Sequence, residues 1–210
     1  MTGDPVAEAA RSARTGSLIV FPTDTVYGLG TAPHDATATA RVFDAKGRPE
    51  HLALPILAGS IEVAREVARF DERADRLARA LWPGALSLVL PRTAASEPWA
   101  LGGDDDCVAV RVPAHPLALA VLAGAGPLAV TSANRSGEPP ATTCDGLRSV
   151  FGDLVAVYLC EEAPLEGVAS TVLDLAHGSP TILRSGDLDA ATIARFLPAG
   201  DPLLDSPPSP

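Results

Sequence analysis

The order of hydrophobic and polar positions predicts that helices and strands alternate in the first third of the chain. A helix is expected to begin after Asp4, followed by a buried strand over residues 17–21, a helix over residues 34–45 and a second buried strand over residues 52–58. Two short helices are expected over residues 61–70 and 72–81. Because a strand–helix–strand order usually joins parallel neighbours, we expect parallel pairing at the start of the sheet.

After residue 84 the pattern changes to short alternating segments, which are typical of antiparallel strands. The turn-like sequence of residues 177–180 predicts a hairpin between strands over residues 170–175 and 181–183. The other expected elements are strands over residues 85–90, 108–112, 128–131 and 155–159 and helices over residues 116–123, 144–151 and 190–197. The sequence therefore predicts an α/β fold with a mixed parallel and antiparallel sheet.

Length and composition favour one globular domain. The chain has 210 residues, of which 47% are hydrophobic, so it can bury a full core. Its last residues are rich in proline and poor in large apolar side chains. We expect a single domain over residues 1–198 and a disordered tail over residues 199–210.

Charge and aromatic content argue against a broad nucleic-acid-binding surface. The 16 lysines and arginines face 26 acidic residues, which gives a net charge of -10, and aromatic residues make up only 4% of the chain. Neither a wide basic face nor a row of stacking rings is available, so direct RNA binding is expected to be weak or absent.

The three cysteines, Cys107, Cys144 and Cys160, are odd in number and lack CxxC spacing. This favours reduced thiols over a disulfide framework or a zinc site. The N-terminal residues do not resemble a signal peptide, and no apolar run is long enough to span a membrane. We expect a soluble, cytoplasmic protein.

Candidate chemistry begins at the end of the first strand. Thr23 and Thr25 flank Asp24, and the glycines of residues 28–30 would let the backbone approach a ligand closely. The alternative is a tight turn in which Asp24 and Thr25 bond their own backbone. The segment matches neither the Rossmann nor the P-loop glycine pattern, so a nucleotide would bind here by another architecture.

Three cations are candidates for anion binding. Lys46 and Arg48 stand on either side of Gly47 after a helix, an arrangement that suits a polyphosphate, although two solvated charges at a helix end are the alternative. Arg111 lies in an otherwise apolar strand and therefore needs a carboxylate or phosphate partner. That partner is either a ligand or an internal acid.

Further donors follow two later strands. Ser132 and Asn134 begin a polar loop, and Ser170 and Arg184 stand near strand ends. Ser132 lacks the surroundings of a catalytic serine nucleophile. The sequence contains no evident carboxylate pair, metal-ligand cluster or activated thiol, and the acids 104–106 and 161–162 are expected to be solvated. A reaction would depend on positioning and charge stabilisation, and any Mg²⁺ would arrive on nucleotide phosphates.

Six motifs, taken together and in order, resemble the YrdC-like family, the L-threonylcarbamoyladenylate synthases. They are PTDTVYGLG (22–30), KGR (46–48), VRVP (110–113), TSANRSG (131–137) followed by Thr142, STVLD (170–174) and LRSG (183–186). The resemblance covers residue 17 to about residue 186. Because the sequence ends soon after the LRSG motif, we expect a short form without the extra C-terminal domain of the longer synthases.

The resemblance implies a twisted mixed sheet with flanking helices and an open concave cavity. It also implies that L-threonine, bicarbonate and ATP are converted to threonylcarbamoyl-AMP and pyrophosphate, for a separate transferase complex that modifies the tRNA adenosine beside the anticodon. By motif position, the threonine-binding residues would be Thr25, Arg111, Ser132 and Ser170. The ATP-binding residues would be Lys46, Arg48, Asn134, Thr142 and Arg184, with Lys46 and Arg48 catalytic.

The sequence also departs from the family. Leu52 and Leu57 stand where relatives commonly carry a polar residue and a histidine, and Cys107 stands where a threonine often contacts the nucleotide. Two alternative functions on the same fold stay open: a non-catalytic RNA or ribosome-assembly binding module, and a sibling enzyme that transfers a carbamoyl group.

Overall fold

The computed structural model describes residues 4–205, which form one ten-stranded sheet with helices packed on it. The strands are β1 (Leu18–Phe21), β2 (Gly28–Thr31), β3 (Ile56–Leu57), β4 (Leu86–Pro91), β5 (Cys107–Arg111), β6 (Leu128–Ser132), β7 (Val155–Tyr158), β8 (Thr171–Asp174), β9 (Thr181–Arg184) and β10 (Leu204–Asp205). The helices are α1 (Pro5–Arg14), α2 (Ala36–Lys46), α3 (Ile61–Val67), α4 (Glu72–Leu81), α5 (Pro116–Ala125), α6 (Cys144–Phe151) and α7 (Ala190–Ala194), with a 3₁₀ turn at Gly152–Leu154.

The strand order is β10-β9-β8-β4-β5-β3-β6-β2-β1-β7. Four neighbouring pairs are parallel (β1 with β7, β3 with β5, β4 with β8, β9 with β10), and the other five are antiparallel. The predictions of a mixed sheet and of a β8–β9 hairpin are confirmed. The prediction of parallel pairing at the start is wrong, because β2 follows β1 directly and pairs with it antiparallel.

Strand β2 was not predicted from the sequence, and the packing explains why its glycines are needed there. A Cβ at Gly28 would lie 2.7 Å from Cγ1 of Val130, and one at Gly30 would lie 2.9 Å from its Cγ2. Glycine therefore lets β2 accept the branched side chain of its neighbour on β6. The strand could not be predicted from composition, because glycine is rare in strand interiors.

The helix starts were predicted well because their capping residues are explicit in the sequence. The carboxylates of Asp4, Asp35 and Asp71 accept hydrogen bonds from the first-turn amides of α1, α2 and α4. Lengths were less accurate. The strand expected over residues 52–58 is reduced to β3, and the last helix ends at Ala194.

Part of the segment predicted as a disordered tail, residues 199–210, forms strand β10. Leu204 and Asp205 pair in parallel with β9, and the Leu204 amide donates to the Pro180 carbonyl at 2.8 Å. Residues 206–210 of the predicted tail lie outside the described residues.

Two hydrophobic layers stabilise the sheet. Helices α1 and α5 pack together over Ile19, Phe21 and Val130 on one part of the sheet, and a larger cluster fills the space beneath the remaining helices. Within residues 4–205 no helix has both the length and the apolar character needed to cross a membrane.

The cysteine prediction is wrong for two of the three residues. Cys144, the first residue of α6, and Cys160, which follows β7, form a disulfide, while Cys107 is free and buried. A separation of 16 residues matches no known cysteine motif, so the sequence could not predict this disulfide. The two cysteines meet because β7 returns beside α6. The thiol argument for a cytoplasmic location therefore loses its basis, and that location stays a prediction.

We expect reduction of the disulfide to lower the free energy of unfolding by about 2–3 kcal/mol, because it releases a loop of this length in the unfolded chain. Urea unfolding with and without reductant measures the difference. The Cys144→Ser/Cys160→Ser double variant is the control, and its unfolding should not respond to reductant. Identical curves for the wild-type protein under both conditions would contradict the assignment.

Candidate functional site

A concave cavity of about 180 Å³ opens across the middle of the sheet. It gathers residues from β2, β3, β4, β5, β6 and β9, from the loops that precede β2, β3 and β8, and from the loop that follows β6. The lining is Thr23, Thr25, Val26, Tyr27, Gly28, Arg48, Pro55, Leu57, Ser87, Arg111, Val130, Thr131, Ser132, Pro140, Ala169, Ser170 and Arg184.

The loop between β1 and β2 is a tight hydrogen-bonded turn. The Thr23 hydroxyl donates to the Val26 carbonyl at 2.6 Å and shares a 2.9 Å hydrogen bond with the Thr25 hydroxyl. The turn predicted as an alternative does form, but Thr23 closes it, rather than Asp24 and Thr25. The turn fixes Thr25 against the cavity.

Arg111 is the most deeply desolvated cation of the cavity. Its Nη2 donates to Oδ1 of Asp24 at 2.5 Å, its Nη1 to the Thr25 hydroxyl at 3.0 Å and its Nε to the Gly84 carbonyl at 2.8 Å. Burial lowers the pKa of Arg111, and the Asp24 carboxylate opposes that shift. The internal salt bridge, which the sequence left open, is therefore present, and Arg111 also lines the cavity.

Lys46 is buried, and its ammonium points to the end of β6 instead of the cavity. Its Nζ donates to the carbonyls of Ser132 and Asn134 at 2.5 and 2.6 Å and approaches Oδ1 of Asn134 at 3.3 Å. Burial, followed by repulsion from Arg48, lowers the pKa of Lys46 to about 8. The spacing of Lys46 and Arg48 suggested that both side chains reach one anion, but in the structure they do not converge. Lys46 instead fixes the loop that Arg48 faces.

Arg48 and Arg184 both line the cavity and are held by backbone carbonyls. Arg48 donates to the carbonyls of Leu52 and Ala53, each at 2.9 Å, and Arg184 donates to the Ser170 carbonyl at 2.8 Å. Burial lowers the pKa of both guanidinium groups, and Arg184 lowers that of Arg48 further. Two cations distant in sequence therefore converge on one cavity.

The hydroxyl-bearing residues fall into two groups. Ser132 and Ser170 line the cavity, and the Ser170 hydroxyl lies 2.9 Å from that of Ser87. The sequence analysis missed Ser87, whose signal is a lone polar residue within the apolar strand β4. Asn134 is absent from the lining; its amide nitrogen donates to the carbonyls of Arg135 and Glu138.

Thr142 lies in a shallower recess that shares Val26 and Pro140 with the cavity. The other wall of this recess is the segment of residues 165–168. The Leu165 amide donates to the Thr142 carbonyl at 2.8 Å, and a Cβ at Gly167 would lie only 1.5 Å from the Thr25 carbonyl oxygen. Glycine thus lets this segment pass directly over the Thr25 turn. No sequence pattern predicts this contact.

The charge of the lining is opposite to that of the protein. Three guanidinium groups, from Arg48, Arg111 and Arg184, face the cavity, and within the described residues its lining includes no carboxylate. The lining therefore suits anions and offers a divalent cation no carboxylate ligand of its own. Leu57 is buried in the lining, whereas Cys107 lies outside it and Leu52 is 40% exposed.

Comparison with known proteins places this geometry in a family. The profile of the Sua5/YciO/YrdC family, described as "Telomere recombination", matches residues 11–186. A relative from Mycobacterium leprae is 42% identical over 91% of this chain and 87% of its own. The threonylcarbamoyl-AMP synthase of Chromohalobacter salexigens is 38% identical over 84% of this chain and 96% of its own.

Solved structures agree with the sequence relatives. Pyrococcus abyssi Sua5 complexed with L-threonine matches with a TM-score of 0.88 and 38% identity over 96% of this chain and 59% of that one. Escherichia coli YciO matches with a TM-score of 0.81 and 25% identity over 91% of this chain and 92% of that one. The chain therefore belongs to the Sua5/YciO/YrdC family.

Proposed function

We propose that the protein is a threonylcarbamoyl-AMP synthase, a nucleotidyltransferase that makes threonylcarbamoyl-AMP and pyrophosphate from L-threonine, bicarbonate and ATP. The observation that carries the proposal is a cavity with three guanidinium groups, several hydroxyls and no carboxylate among its described lining residues. The named synthases among the relatives and the threonine-bound Sua5 support it.

Arg111, Thr25, Ser132 and Ser170 form the proposed threonine site. Three of the five N–H groups of Arg111 are bonded within the protein, so one on each Nη is left to receive the substrate carboxylate beside Asp24. The Thr25 hydroxyl accepts a hydrogen bond from Nη1 of Arg111, and this contact fixes the orientation of the guanidinium group. The hydroxyls of Ser87 and Ser170 give the threonine side chain or amine a polar neighbour.

Arg48, Arg184 and Lys46 form the proposed triphosphate site, together with Asn134 and Thr142. Arg48 and Arg184 are bonded to neutral carbonyls, so their charges are not balanced by an acid in their own hydrogen bonds. Phosphate oxygens would relieve the repulsion that lowers the pKa of Arg48. Lys46 would act indirectly, by holding the Ser132–Asn134 loop in place. Its charge would also add to the positive potential around the proposed triphosphate site.

The proposed reaction joins the two sites. The threonine amine combines with bicarbonate to give a carbamate and water, and a carbamate oxygen attacks the α-phosphorus of ATP while the bond to pyrophosphate breaks. Lys46 and Arg48 would stabilise the charge that develops on pyrophosphate. Mg²⁺ would enter on the nucleotide phosphates.

The product is a reactive mixed anhydride, so a further enzyme must use it; a tRNA-modifying transferase complex is the proposed partner, and the cytoplasm is the proposed location. The alternative RNA-binding function gains no specific support, because the cations lie inside a cavity of a protein with net charge -10. The carbamoyl-transfer alternative gains none either.

We expect pyrophosphate release from ATP and bicarbonate to depend on L-threonine. The assay compares L-threonine, L-serine and no amino acid, with the purified full chain. Turnover that is absent or independent of threonine would contradict the proposal. Turnover that depends on serine would change only the assignment of the amino-acid substrate.

Arg111→Lys should lower kcat/KM for threonine by about 10- to 100-fold, because a single ammonium replaces two directional charged hydrogen bonds. Arg65→Lys is the matched control, since Arg65 also pairs with an aspartate, Asp75, at 2.8 Å but on the surface. Thermal unfolding of both variants separates lost binding from lost stability. If both variants keep wild-type threonine dependence, Arg111 has a structural role only.

The rate should fall as the pH rises through about 8. Because the pKa of Lys46 lies near that value, its ammonium is charged below pH 8 and loses its proton above it. We expect kcat/KM for ATP in the wild-type protein to decline over this interval and that of Lys46→Arg to stay level, measured with pyrophosphate standards at each pH. Parallel profiles would show that Lys46 does not control the ATP step.

A further inference from the structure

Strand β5 carries a second group of reactive side chains at the end opposite Arg111. Cys107 is the first residue of β5, about 13 Å along the strand from Arg111. The Cys107 sulfur lies 3.8 Å from Nε2 of His177, in the turn after β8, and the same nitrogen lies 3.3 Å from Oδ2 of Asp104. The three ligand atoms lie within 4.8 Å of one another.

We propose that Asp104, Cys107 and His177 form a binding site for a divalent transition-metal ion, with Zn²⁺ as its occupant. Sulfur, imidazole nitrogen and carboxylate oxygen are the ligands that zinc prefers. Zinc bonds of about 2.0–2.3 Å at tetrahedral angles place neighbouring ligand atoms about 3.3–3.6 Å apart. The observed distances of 3.3 and 3.8 Å need little adjustment to meet that geometry.

The orientation of the ligands is fixed by a second layer of contacts. Nδ1 of His177 lies 2.8 Å from Oδ2 of Asp174, whose Oδ1 accepts from the Ala176 amide at 2.8 Å. A proton on Nδ1 leaves Nε2 free to ligate, the arrangement that metal-binding histidines usually show. Likewise, Oδ1 of Asp104 accepts from the Asp106 amide at 2.9 Å, so Oδ2 is directed at the cluster.

The order Cys107, His177, Asp174 also resembles the triad of a cysteine nucleophile, and the position of the thiol opposes that interpretation. Cys107 lies outside both described cavities, so neither of them would bring a substrate to its sulfur. The nearby cation Arg92 donates to the backbone carbonyls of Cys107 and Asp104, so the side-chain ligands face away from its hydrogen bonds.

A metal ion at this position would link the loop before β5 to the turn between β8 and β9. These segments are 70 residues apart in the chain and contact each other here through hydrogen bonds of the His177 ring. Binding should therefore stabilise the folded protein by an amount that rises with the logarithm of the metal concentration above the dissociation constant.

Cobalt(II) titration of the chelator-treated full chain tests the site. We expect a thiolate-to-cobalt charge-transfer band and tetrahedral ligand-field absorption, both removed when Zn²⁺ displaces the cobalt. Cys107→Ser should abolish the charge-transfer band. Asp174→Asn should weaken binding by about 10- to 100-fold, because it removes the partner that orients His177.

Asp104→Asn and Asp105→Asn form the matched pair, since both residues are exposed in the same loop and neither change threatens the fold. Only Asp104→Asn should weaken cobalt binding. The Cys144→Ser/Cys160→Ser variant should keep the band, which excludes reduced Cys144 and Cys160 as ligands. A wild-type protein without the band, or equal affinity in the two aspartate variants, would overturn the proposal, and neither result bears on the proposed synthase activity.

Discussion

The cavity depends on cations that are held mainly by neutral oxygens. The carbonyls of Leu52 and Ala53 bind Arg48, and that of Ser170 binds Arg184; beside the cavity, those of Ser132 and Asn134 bind the buried Lys46. A carbonyl orients a charged donor without cancelling its charge, so the positive potential is left for a ligand. The half-buried Arg48 loses part of its hydration, and an anionic substrate can repay that cost on binding.

Arg111 differs from the other cations because its partner is a carboxylate. The Asp24 pair and the Thr25 hydroxyl place the guanidinium at the end of β5, where the tight Thr23 turn holds both partners. A cavity with paired and unpaired cations can bind two different anions side by side. That division matches the proposed placement of an amino-acid carboxylate and a triphosphate.

Strand β5 separates two sites of opposite preference. Its last residue, Arg111, faces an anion-binding cavity, and its first residue, Cys107, belongs to a group of acidic and metal-ligating side chains. Within the described residues, the acidic side chains that give the chain its net charge are thus kept out of the cavity lining, although Asp24 pairs with Arg111 behind it. Short rigid strands make this segregation possible, since about five residues are enough to put the two ends beyond contact.

Features that depend on local chemistry could be predicted from the amino-acid sequence. Asp4, Asp35 and Asp71 begin helices because a carboxylate caps free amides, and Arg111 in an apolar strand had to find a partner. The motif order also indicated the family, which the comparisons confirmed.

Features that arise where distant segments meet could not be predicted before the fold was known. The glycines of β2 form a strand because Val130 packs over them, Lys46 turns to carbonyls 86 and 88 residues away, and Cys144 meets Cys160 when β7 returns beside α6. The Cys107–His177 contact, across 70 residues, is of the same kind. Such contacts have no period or spacing along the chain, because the sheet order that creates them is set by the packing of the whole domain.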